Sequence, residues 1–409
     1  MKRKILKAAL LFLSIVPLFA QTWLDDSVPS FKEAYKDVFD CVGFACEYGI
    51  KGWSEKELAT QEVQKGLSKH AATITMGNEF KPQFIMAWWG KNPLVTKETF
   101  TASNNITIKT PVLNGFASVD AILEICRKNN LKMRGHVLVW HSQTEEAFFH
   151  VDYDSSKPYV SKEEMTARQE WYIKTVLEHI KQWEKANNNG KHIIWAWDVV
   201  NEAVADGSSE LRKESSWYKI YKNNEFIINA FRFANKYAPK DVLLCYNDYN
   251  CTDPLKRKGI MNLITQLQKN STGELPARID VMGMQSHISK KTKISDIDKA
   301  INDFISKNVD VHITELDIAT EEAYKPEELA QVYSNVFKNY IKNRKTPAKK
   351  GVSCVTIWGL NDESTWLNSP DQIKWHQNKK QFPLLFELKN KKYIPKPAFY
   401  SVIEAASTL

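Results

Sequence analysis

The stretch IIWAWDVVNE, residues 193–202, guides the interpretation of the whole sequence. It is apolar at every position but one up to Val200, and it then turns polar at Asn201 and Glu202. An apolar run without alternation is typical of a parallel strand that is covered on both faces. We therefore predict a buried strand whose carboxyl end presents two polar side chains.

Similar apolar runs occur on both sides of this stretch. They predict strands at 42–46, 72–75, 132–139, 242–246, 279–284, 309–314 and 353–357, with the first stretch counted at 193–200. The predicted helices between them lie at 121–129, 163–186, 224–237, 253–269, 297–307 and 326–343. Eight strands that alternate with helices indicate a parallel barrel. We therefore predict an α/β protein, a single (β/α)8 TIM barrel that occupies residues 21–409.

Polar and aromatic side chains follow nearly every predicted strand. They are Asn78 and Lys81 after the second strand, Trp140 and Gln143 after the third, Asn201 and Glu202 after the fourth, Tyr249 after the fifth, Gln285 and His287 after the sixth, Glu315 and Asp317 after the seventh, and Trp358 after the eighth. In a barrel of this kind the chemistry takes place at the carboxyl ends of the strands. The pattern predicts one functional site at one rim.

Residues 1–20 have the pattern of a secretory signal peptide. A basic start precedes an apolar run at 8–19, and Ala20 stands before a polar residue. We expect cleavage near Ala20 and a protein secreted to the periplasm or the cell exterior. The leader carries four basic residues and no acid, so the formal net charge falls from +8 to +4. This mild charge argues against a nucleic-acid partner, and no other run is long enough to predict a membrane span.

Composition indicates a folded globular protein, because 43% of the residues are hydrophobic and 25% are charged. Thirteen tryptophans suit either a core or flat contact surfaces for sugar rings. Export would permit disulfides, and a local bridge between Cys245 and Cys251 is one possibility. Cys41 and Cys46 share a predicted buried strand, which favours free thiols. No cysteine spacing predicts a structural zinc site.

Two strand-end glutamates fit the hydrolysis of a glycosidic bond. This reaction needs one carboxylic acid to protonate the leaving oxygen and a second carboxylate to attack or to activate water. Glu202 and Glu315 end strands that face each other across the barrel mouth, where a separation of roughly 5–5.5 Å would fit a retaining enzyme. A lone glutamate at such a place is more often a surface acid. Here Asn201 precedes Glu202, and His287 is expected to hold Glu315 and Asp317 through its two ring nitrogens.

The segments TMGNEFK, MRGHVLVWHSQT, WDVVNEA, YNDYN, QSH, ITELDI, WGLNDESTW and FPLLFE, in this order, resemble glycoside hydrolase family 10. That family consists mainly of endo-β-1,4-xylanases, and the resemblance runs from about residue 31 to about residue 403. Single segments are weak signals, but the ordered set is specific. The resemblance implies a retaining enzyme that cleaves xylan by double displacement, with no metal and no other cofactor.

The resemblance also implies roles for individual residues. Glu202 matches the acid/base and Glu315 the nucleophile, with Asp317 as a supporting residue through His287. The residues that match sugar-binding positions on the donor side are Asn78, Lys81, His136, Trp140, Gln143, Asn201, Trp358 and Trp366. Gln285 and His287 match substrate-binding positions beside the nucleophile, and Tyr249 matches an aromatic residue of the acceptor side. A cis peptide bond between His136 and Val137 is implied as well.

The sequence departs from the family pattern in three places. Gly77 stands where the family has a glutamate that binds the second donor-side sugar. Residues 145–147 replace a Pro-x-Trp segment, and Leu367 replaces an arginine. In the long connection 82–113 we consider two roles for Trp88 and Trp89, an added sugar platform and simple packing.

Two other functions stay open on the sequence alone. One is the same mechanism on another substrate, such as mixed-linkage glucan or an aryl cellobioside, because the shape of the sugar pocket decides whether the hydroxymethyl group of glucose fits. The other is a non-catalytic glycan-binding barrel, although a binding protein has no need of both glutamates. We expect a monomer, since the cleft has to embrace a polymer.

Overall fold

The computed structural model describes residues 21–320 and 324–407. The signal peptide expected at 1–20 lies outside these residues. The strands are β1 (Cys41–Cys46), β2 (Thr73–Met76), β3 (Val95–Thr101), β4 (Thr107–Pro111), β5 (Lys132–Trp140), β6 (Ile194–Asn201), β7 (Leu243–Asp248), β8 (Val281–Met284), β9 (His287–Ser289), β10 (Asp310–Ala319), β11 (Val352–Ile357), β12 (Phe386–Lys389) and β13 (Lys392–Pro395). The helices are α1 (Phe31–Tyr35), α2 (Gln61–His70), α3 (Pro82–Met86), α4 (Phe116–Lys128), α5 (Lys162–Asn187), α6 (Ser216–Tyr221), α7 (Glu225–Tyr237), α8 (Pro254–Lys269), α9 (Ile294–Ile305), α10 (Pro326–Lys342) and α11 (Pro397–Ala406).

Eight parallel strands of the described residues close a barrel in the order β1, β2, β5, β6, β7, β8, β10, β11, and β11 pairs back with β1. The predicted (β/α)8 barrel is therefore confirmed. Each predicted strand overlaps one of these eight, and the starts agree to within two residues. The main difference is at β10, which continues past Glu315 to Ala319 because its last residues pair with β9.

Five of the described helices, α1, α2, α5, α6 and α8, begin at a side chain that accepts from a free backbone amide. Asp253 accepts from the Lys256 amide at 2.7 Å, and Pro254 occupies the first turn of α8, where a missing amide hydrogen costs nothing. Ser161 caps the long helix α5 in the same way, through the Glu164 amide at 3.2 Å. Each cap fixes the residue at which a loop ends and a helix begins. It therefore limits how far the loop that follows the preceding strand can extend over the barrel.

The barrel interior holds a buried ionic cluster below the carboxyl rim. Arg134 on β5 forms two hydrogen bonds with Asp198 on β6, at 2.6 and 3.1 Å, and its Nε donates to His312 at 3.3 Å. His136 Nδ1 lies 3.0 Å from the same Asp198. Burial raises the pKa of Asp198, but Arg134 and His136 outweigh it and lower the pKa to about 2. The cluster therefore holds a fixed charge pair beneath the site.

All six cysteines lie in the described residues, and all six are buried free thiols. The bridge considered between Cys245 and Cys251 is therefore wrong. Cys245 points into the barrel on β7, whereas the Cys251 thiol donates to the carbonyl of Asp248 at 3.3 Å. Cys41 and Cys46 lie in buried strand β1 as free thiols, as expected. Between residues 21 and 407, apart from 321–323, no helix has the length and apolarity needed to cross a bilayer.

Candidate active site

One cleft of about 870 Å³ opens at the carboxyl rim and receives side chains from every barrel strand. The predicted site residues that line it are Asn78, Lys81, His136, Trp140, Gln143, Asn201, Glu202, Tyr249, Gln285, His287, Glu315, Trp358 and Trp366. Asp317 lies behind His287 and lines the neighbouring cavity. The structure thus brings all the predicted site residues together.

Glu315 is buried in β10 and contacts two donors. Its Oε1 accepts from Asn247 Nδ2 at 2.8 Å, and its Oε2 lies 3.1 Å from His287 Nε2. Burial alone would raise the pKa of this carboxyl group. The contacts with His287 and Asn247 outweigh burial and hold the pKa below its usual range. Glu315 is therefore ionised at neutral pH.

His287 lies between two carboxylates, as predicted. Its Nδ1 is 3.0 Å from Asp317 Oδ2, on the side opposite Glu315. Burial lowers the pKa of this imidazole, but Asp317 and Glu315 outweigh burial and raise it to about 10. Trp366 Nε1 donates to the same Asp317 oxygen at 2.7 Å. The result is a carboxylate–imidazolium–carboxylate row that fixes the orientation of Glu315.

Glu202 has a different environment. It is half-buried at the end of β6 and accepts only from neutral groups: Trp140 Nε1 at 2.9 Å, Gln285 Nε2 at 2.8 Å and Asn201 Nδ2 at 3.1 Å. Its backbone φ is 56°, a left-handed conformation that is uncommon for a residue with a side chain. Such conformations are enriched at functional sites. The two glutamates therefore present one carboxylate next to a cation and one next to neutral donors.

Asn247 connects the two halves of the site. Its Nδ2 donates to Glu315 Oε1 and, at 2.9 Å, to Asn201 Oδ1, while its Oδ1 accepts from Thr314 at 2.7 Å. A side chain at Gly283 on the next strand would place its β-carbon 2.4 Å from Asn247 Oδ1, so glycine is required there. Asn247 was not among the residues predicted from the sequence. The signal was present, since the residue stands in the YNDYN segment two positions before Tyr249.

Asn78 and Gln143 form a hydrogen-bonded group around Lys81. The Lys81 ammonium donates to Gln143 Oε1 at 2.8 Å and to Asn78 Oδ1 at 3.2 Å, and it lies 5.0 Å from the centre of the Trp140 ring. Burial lowers the pKa of Lys81. Glu47, at the end of β1, lines the same cleft and contacts Asn78, although the sequence analysis had not identified it.

Tyr249 is held at the opposite end by groups that the sequence analysis missed. Its hydroxyl donates to Asp206 at 2.5 Å and accepts from Arg212 at 2.7 Å, and the Lys256 ammonium lies 3.4 Å from its ring centre. These contacts fix the ring at the cleft wall. Trp375, which is 82% exposed, also lines the cleft and was not predicted.

Trp358 and Trp366 both line the cleft, and each contacts a histidine ring there. The Trp358 ring centre lies 5.6 Å from that of His136, and the Trp366 ring centre lies 4.9 Å from that of His287. Trp366 is 37% exposed, so one part of its ring remains free for a ligand. The peptide bond between His136 and Val137 is cis, as expected.

The unusual segment after HSQT and the tryptophan pair of the long connection contact each other. Buried Glu145 accepts from the amides of Trp89 and Gly90, at 2.8 and 3.1 Å. Trp88 is 4% exposed and donates to Val112 O at 2.8 Å, so packing is the correct interpretation for Trp88. Trp89 is 45% exposed but is not among the residues that line the cleft.

Among the residues that the structure describes, no group of three or more His, Cys, Asp or Glu side chains is arranged to hold a metal ion. The cleft itself is lined by carboxyl, amide, imidazole, ammonium and indole groups.

Comparison with known proteins identifies relatives for almost the whole chain. A putative endo-1,4-β-xylanase of Caldicellulosiruptor saccharolyticus is 37% identical over 71% of this chain and 89% of its own. Endo-1,4-β-xylanase Y of Acetivibrio thermocellus is 35% identical over 81% of this chain. This chain spans 28% of that relative's length and 31% of the length of an endo-1,4-β-xylanase A of Thermotoga neapolitana.

Solved structures give the same result. A structure of the CBM22-1 and GH10 modules of the Clostridium thermocellum endo-1,4-β-D-xylanase 10B with xylohexaose is 30% identical, with a TM-score of 0.74 over 93% of this chain and 68% of that chain. A GH10 endoxylanase from a sugarcane soil metagenome is 29% identical, with a TM-score of 0.70 over 92% of this chain and 99% of that chain. The sequence model of glycosyl hydrolase family 10 matches residues 30–405. The chain therefore belongs to glycosyl hydrolase family 10.

Proposed function

We propose that this protein is a retaining endo-β-1,4-xylanase that hydrolyses internal bonds of xylan, with Glu202 as the acid/base and Glu315 as the nucleophile. The observation that carries the proposal is the presence, in one cleft, of two glutamates with contrasting neighbours. The names of the relatives, which are endo-1,4-β-xylanases, support xylan as the substrate.

The first step is the attack of Glu315 on the anomeric carbon. Because His287 and Asn247 hold its two oxygens, one carboxylate lone pair stays directed toward the cleft. Glu202 donates its proton to the leaving oxygen as the bond breaks. The product of this step is a glycosyl ester on Glu315, and the released part of the chain carries the proton from Glu202.

The second step reverses the roles. Glu202, now a carboxylate, accepts a proton from a water molecule that attacks the anomeric carbon, and Glu315 leaves as a carboxylate. The positive charge on His287 stabilises the returning negative charge, and Asp317 keeps that imidazole oriented. Two inversions at one carbon give net retention. Carboxyl groups and water are sufficient, so the proposal includes no metal and no cofactor.

The remaining cleft residues are proposed to bind the polymer. The donor-side group consists of Asn78, Lys81, His136, Trp140, Gln143, Asn201, Trp358 and Trp366, and Gln285 and His287 stand beside the nucleophile. Tyr249 is assigned to the acceptor side. The indoles offer flat apolar faces to pyranose rings, and the amide of Asn201 is assigned to the hydroxyl next to the anomeric carbon, a contact that strengthens in the transition state.

The setting of the enzyme is part of the proposal. We propose that the protein is secreted after removal of residues 1–20 and that it acts as a monomer. The xylan chain is its only macromolecular partner in this account, with neither a nucleic acid nor a membrane involved.

The test is the release of reducing ends. The purified protein is incubated separately with xylan, carboxymethylcellulose and mixed-linkage glucan, and product lengths are followed over time. We expect xylan alone to be cleaved efficiently, with mixed short oligosaccharides from the start, as internal cleavage requires. Release from glucan alone would show the same mechanism on another substrate. No release from any of the three would favour a glycan-binding barrel.

A further inference from the structure

Glu47 is a carboxylate of the cleft that no sequence motif identified. It follows β1, its side chain is 31% exposed, and it lines the same cavity as Glu202 and Glu315. Since β1 lies between β2 and β11 in the barrel, Glu47 enters the cleft beside Gly77 and Trp358.

Gly77 leaves the space that Glu47 fills. The Gly77 amide donates to the carbonyl of Cys46 at 2.8 Å, which brings the two strand ends side by side. A β-carbon added at Gly77 would lie 3.1 Å from Glu47 Cγ and 3.4 Å from its Oε1. A longer side chain at this position would therefore compete with Glu47 for the same place. The glycine at position 77 thus leaves room for the Glu47 side chain in the position that it occupies.

A row of polar groups extends along the cleft from Lys81 to Glu47. Lys81 donates to Asn78 Oδ1 at 3.2 Å, and Asn78 Nδ2 donates to Glu47 Oε1 at 2.5 Å. The other oxygen of Glu47 forms an ion pair with Lys56. Lys81 lies 5.0 Å from the centre of the Trp140 ring, and Trp140 Nε1 donates to Glu202, so that end of the row is nearer to the catalytic pair. Glu47 lies at the far end.

We infer that Glu47 binds hydroxyl groups of the second sugar on the donor side of the cleaved bond, in place of the side chain that Gly77 lacks. The inference rests on the proposed function. A carboxylate accepts strong hydrogen bonds from hydroxyl groups, and two adjacent oxygens match two neighbouring hydroxyls of a pyranose. The ion pair with Lys56 and the hydrogen bond from Asn78 fix the position of the Glu47 carboxylate. The carboxylate that binds this sugar therefore stands after β1, at Glu47, and not after β2, where Gly77 has no side chain.

The experiment compares two aryl glycosides. 4-Nitrophenyl β-xylobioside occupies two donor-side sugar positions, whereas 4-nitrophenyl β-xyloside occupies one. The readout is the kcat/KM value for the xylobioside divided by that for the xyloside, because a general loss of activity cancels in this ratio. For Glu47→Ala we expect the ratio to fall by roughly tenfold or more, since a charged hydrogen-bond partner is lost. For Glu47→Gln, which retains the shape, we expect a smaller fall. The matched control is Glu55→Gln, an exposed acid in the same loop, whose ratio should equal that of the native protein.

A second pair of variants moves the carboxylate. Gly77→Glu alone should lower the ratio, because two carboxylates then compete for one place. In the Glu47→Ala background, Gly77→Glu should raise the ratio above that of Glu47→Ala. The inference is overturned if both Glu47 variants keep the native ratio, or if the double variant shows no recovery. Failure of the native protein to cleave either glycoside would instead overturn the proposed function.

Discussion

At the scale of the residue, the two glutamates differ through their hydrogen-bond donors. One oxygen of Glu315 contacts a cation, the ring of His287. Glu202 instead accepts three hydrogen bonds, all of them from neutral groups. A cation next to a carboxylate favours its ionised form, as a nucleophile requires. Glu202 accepts from Trp140, Gln285 and Asn201 instead, and it is proposed to exchange the proton during the reaction. The proposed division of roles therefore follows from the neighbours of the two residues.

Removal of each glutamate should change the reaction in a distinct way. We expect Glu315→Ala to lose activity by roughly three to five orders of magnitude, because the covalent step is lost. Added azide should then give the α-xylosyl azide, since azide attacks directly from the face that Glu315 occupied. Glu202→Ala with azide and an activated substrate should give the β-xylosyl azide through the Glu315 ester. NMR spectra of the products check both, and the same anomer from both variants would contradict the assignment.

His287 controls the pH range in which Glu315 can act. In His287→Gln the cation is lost, so the pKa of Glu315 should rise toward and above its usual value of about 4.3. The carboxylate form would then disappear at a higher pH as the solution is acidified. We expect the acid limb of the kcat/KM–pH profile to move upward by about one unit or more. An acid limb that stays in place while kcat falls would show that His287 has only a structural role.

Prediction of individual residues from the sequence succeeded for side chains that stand at the end of a predicted strand, in a segment that resembles the family pattern. It missed Asn247, Glu47 and Arg212, whose roles depend on closure of the barrel. Asn247 contacts Glu315 across 68 positions of sequence, and Glu47 contacts Asn78 across 31. Such contacts depend on which strands are neighbours in the barrel and on the register of their pairing. The hydrophobic periodicity of a single segment gives no information on either.

At the scale of the element, the loop after β11 carries Trp366 over the cleft and is tied together by one amide. Asn368 donates to the carbonyls of Asp362 and Gln381, at 3.2 and 3.0 Å, and accepts from the Gln381 amide at 2.7 Å. These bonds hold both ends of a long loop close to each other. The loop position in turn sets the contact between Trp366 and Asp317.

We expect Asn368→Ala to loosen this loop and raise KM for xylan several-fold, with a smaller effect on kcat, because Trp366 is then less well positioned over the substrate. Lys374→Ala is the control, as Lys374 is an exposed residue of the same loop. Steady-state kinetics on xylan check the prediction. Equal KM values for the two variants would mean that the three bonds of Asn368 do not position the loop.

Element prediction was most accurate for the barrel strands and weakest at the periphery. Helix α2 was missed because its sequence contains Gly66, which weakens the helical pattern. A β-carbon at Gly66 would lie 2.1 Å from the ring of Trp23, so packing demands the glycine. The hairpin of β3 and β4 was missed because β3 is mostly exposed and lacks an apolar face. For α2 the deciding partner, Trp23, lies 43 positions away in the sequence, whereas the partner of β3 is the next strand and only the apolar pattern is missing.

At the scale of the whole molecule, the cluster of Arg134, Asp198 and His136 joins neighbouring strands beneath the cleft. In Asp198→Asn the buried Arg134 loses its counter-charge, so we expect the free energy of unfolding to fall by about 3–5 kcal/mol. The pKa of Asp198 is lowered to about 2, compared with about 3.9 when unfolded, so its charge stabilises the fold above that range and the effect is lost as pH falls.

Thermal unfolding of the native protein and Asp198→Asn between pH 7 and pH 2 checks this prediction. The difference in Tm should be large at neutral pH and should narrow as pH falls from about 4 toward 2. A constant difference over the whole range would contradict a role for the Asp198 charge.

The six buried free thiols lead to another prediction for the whole molecule. Since none of them forms a disulfide in the structure, a reducing agent should leave Tm and activity unchanged. Calorimetry with and without dithiothreitol measures this directly. A large decrease in Tm on reduction would show that a covalent bridge stabilises the protein.

The most direct measurement traps the covalent intermediate. A 2-deoxy-2-fluoro xylobioside with a dinitrophenolate leaving group reacts in the first step, but the fluorine slows the second, so the sugar remains attached to the nucleophile. Mass spectrometry of a digest then identifies the labelled residue. We expect one label per molecule, on Glu315, and no label on the Glu315→Ala variant. A label on Glu202, or an active protein that never acquires a label and releases the inverted sugar, would contradict this expectation.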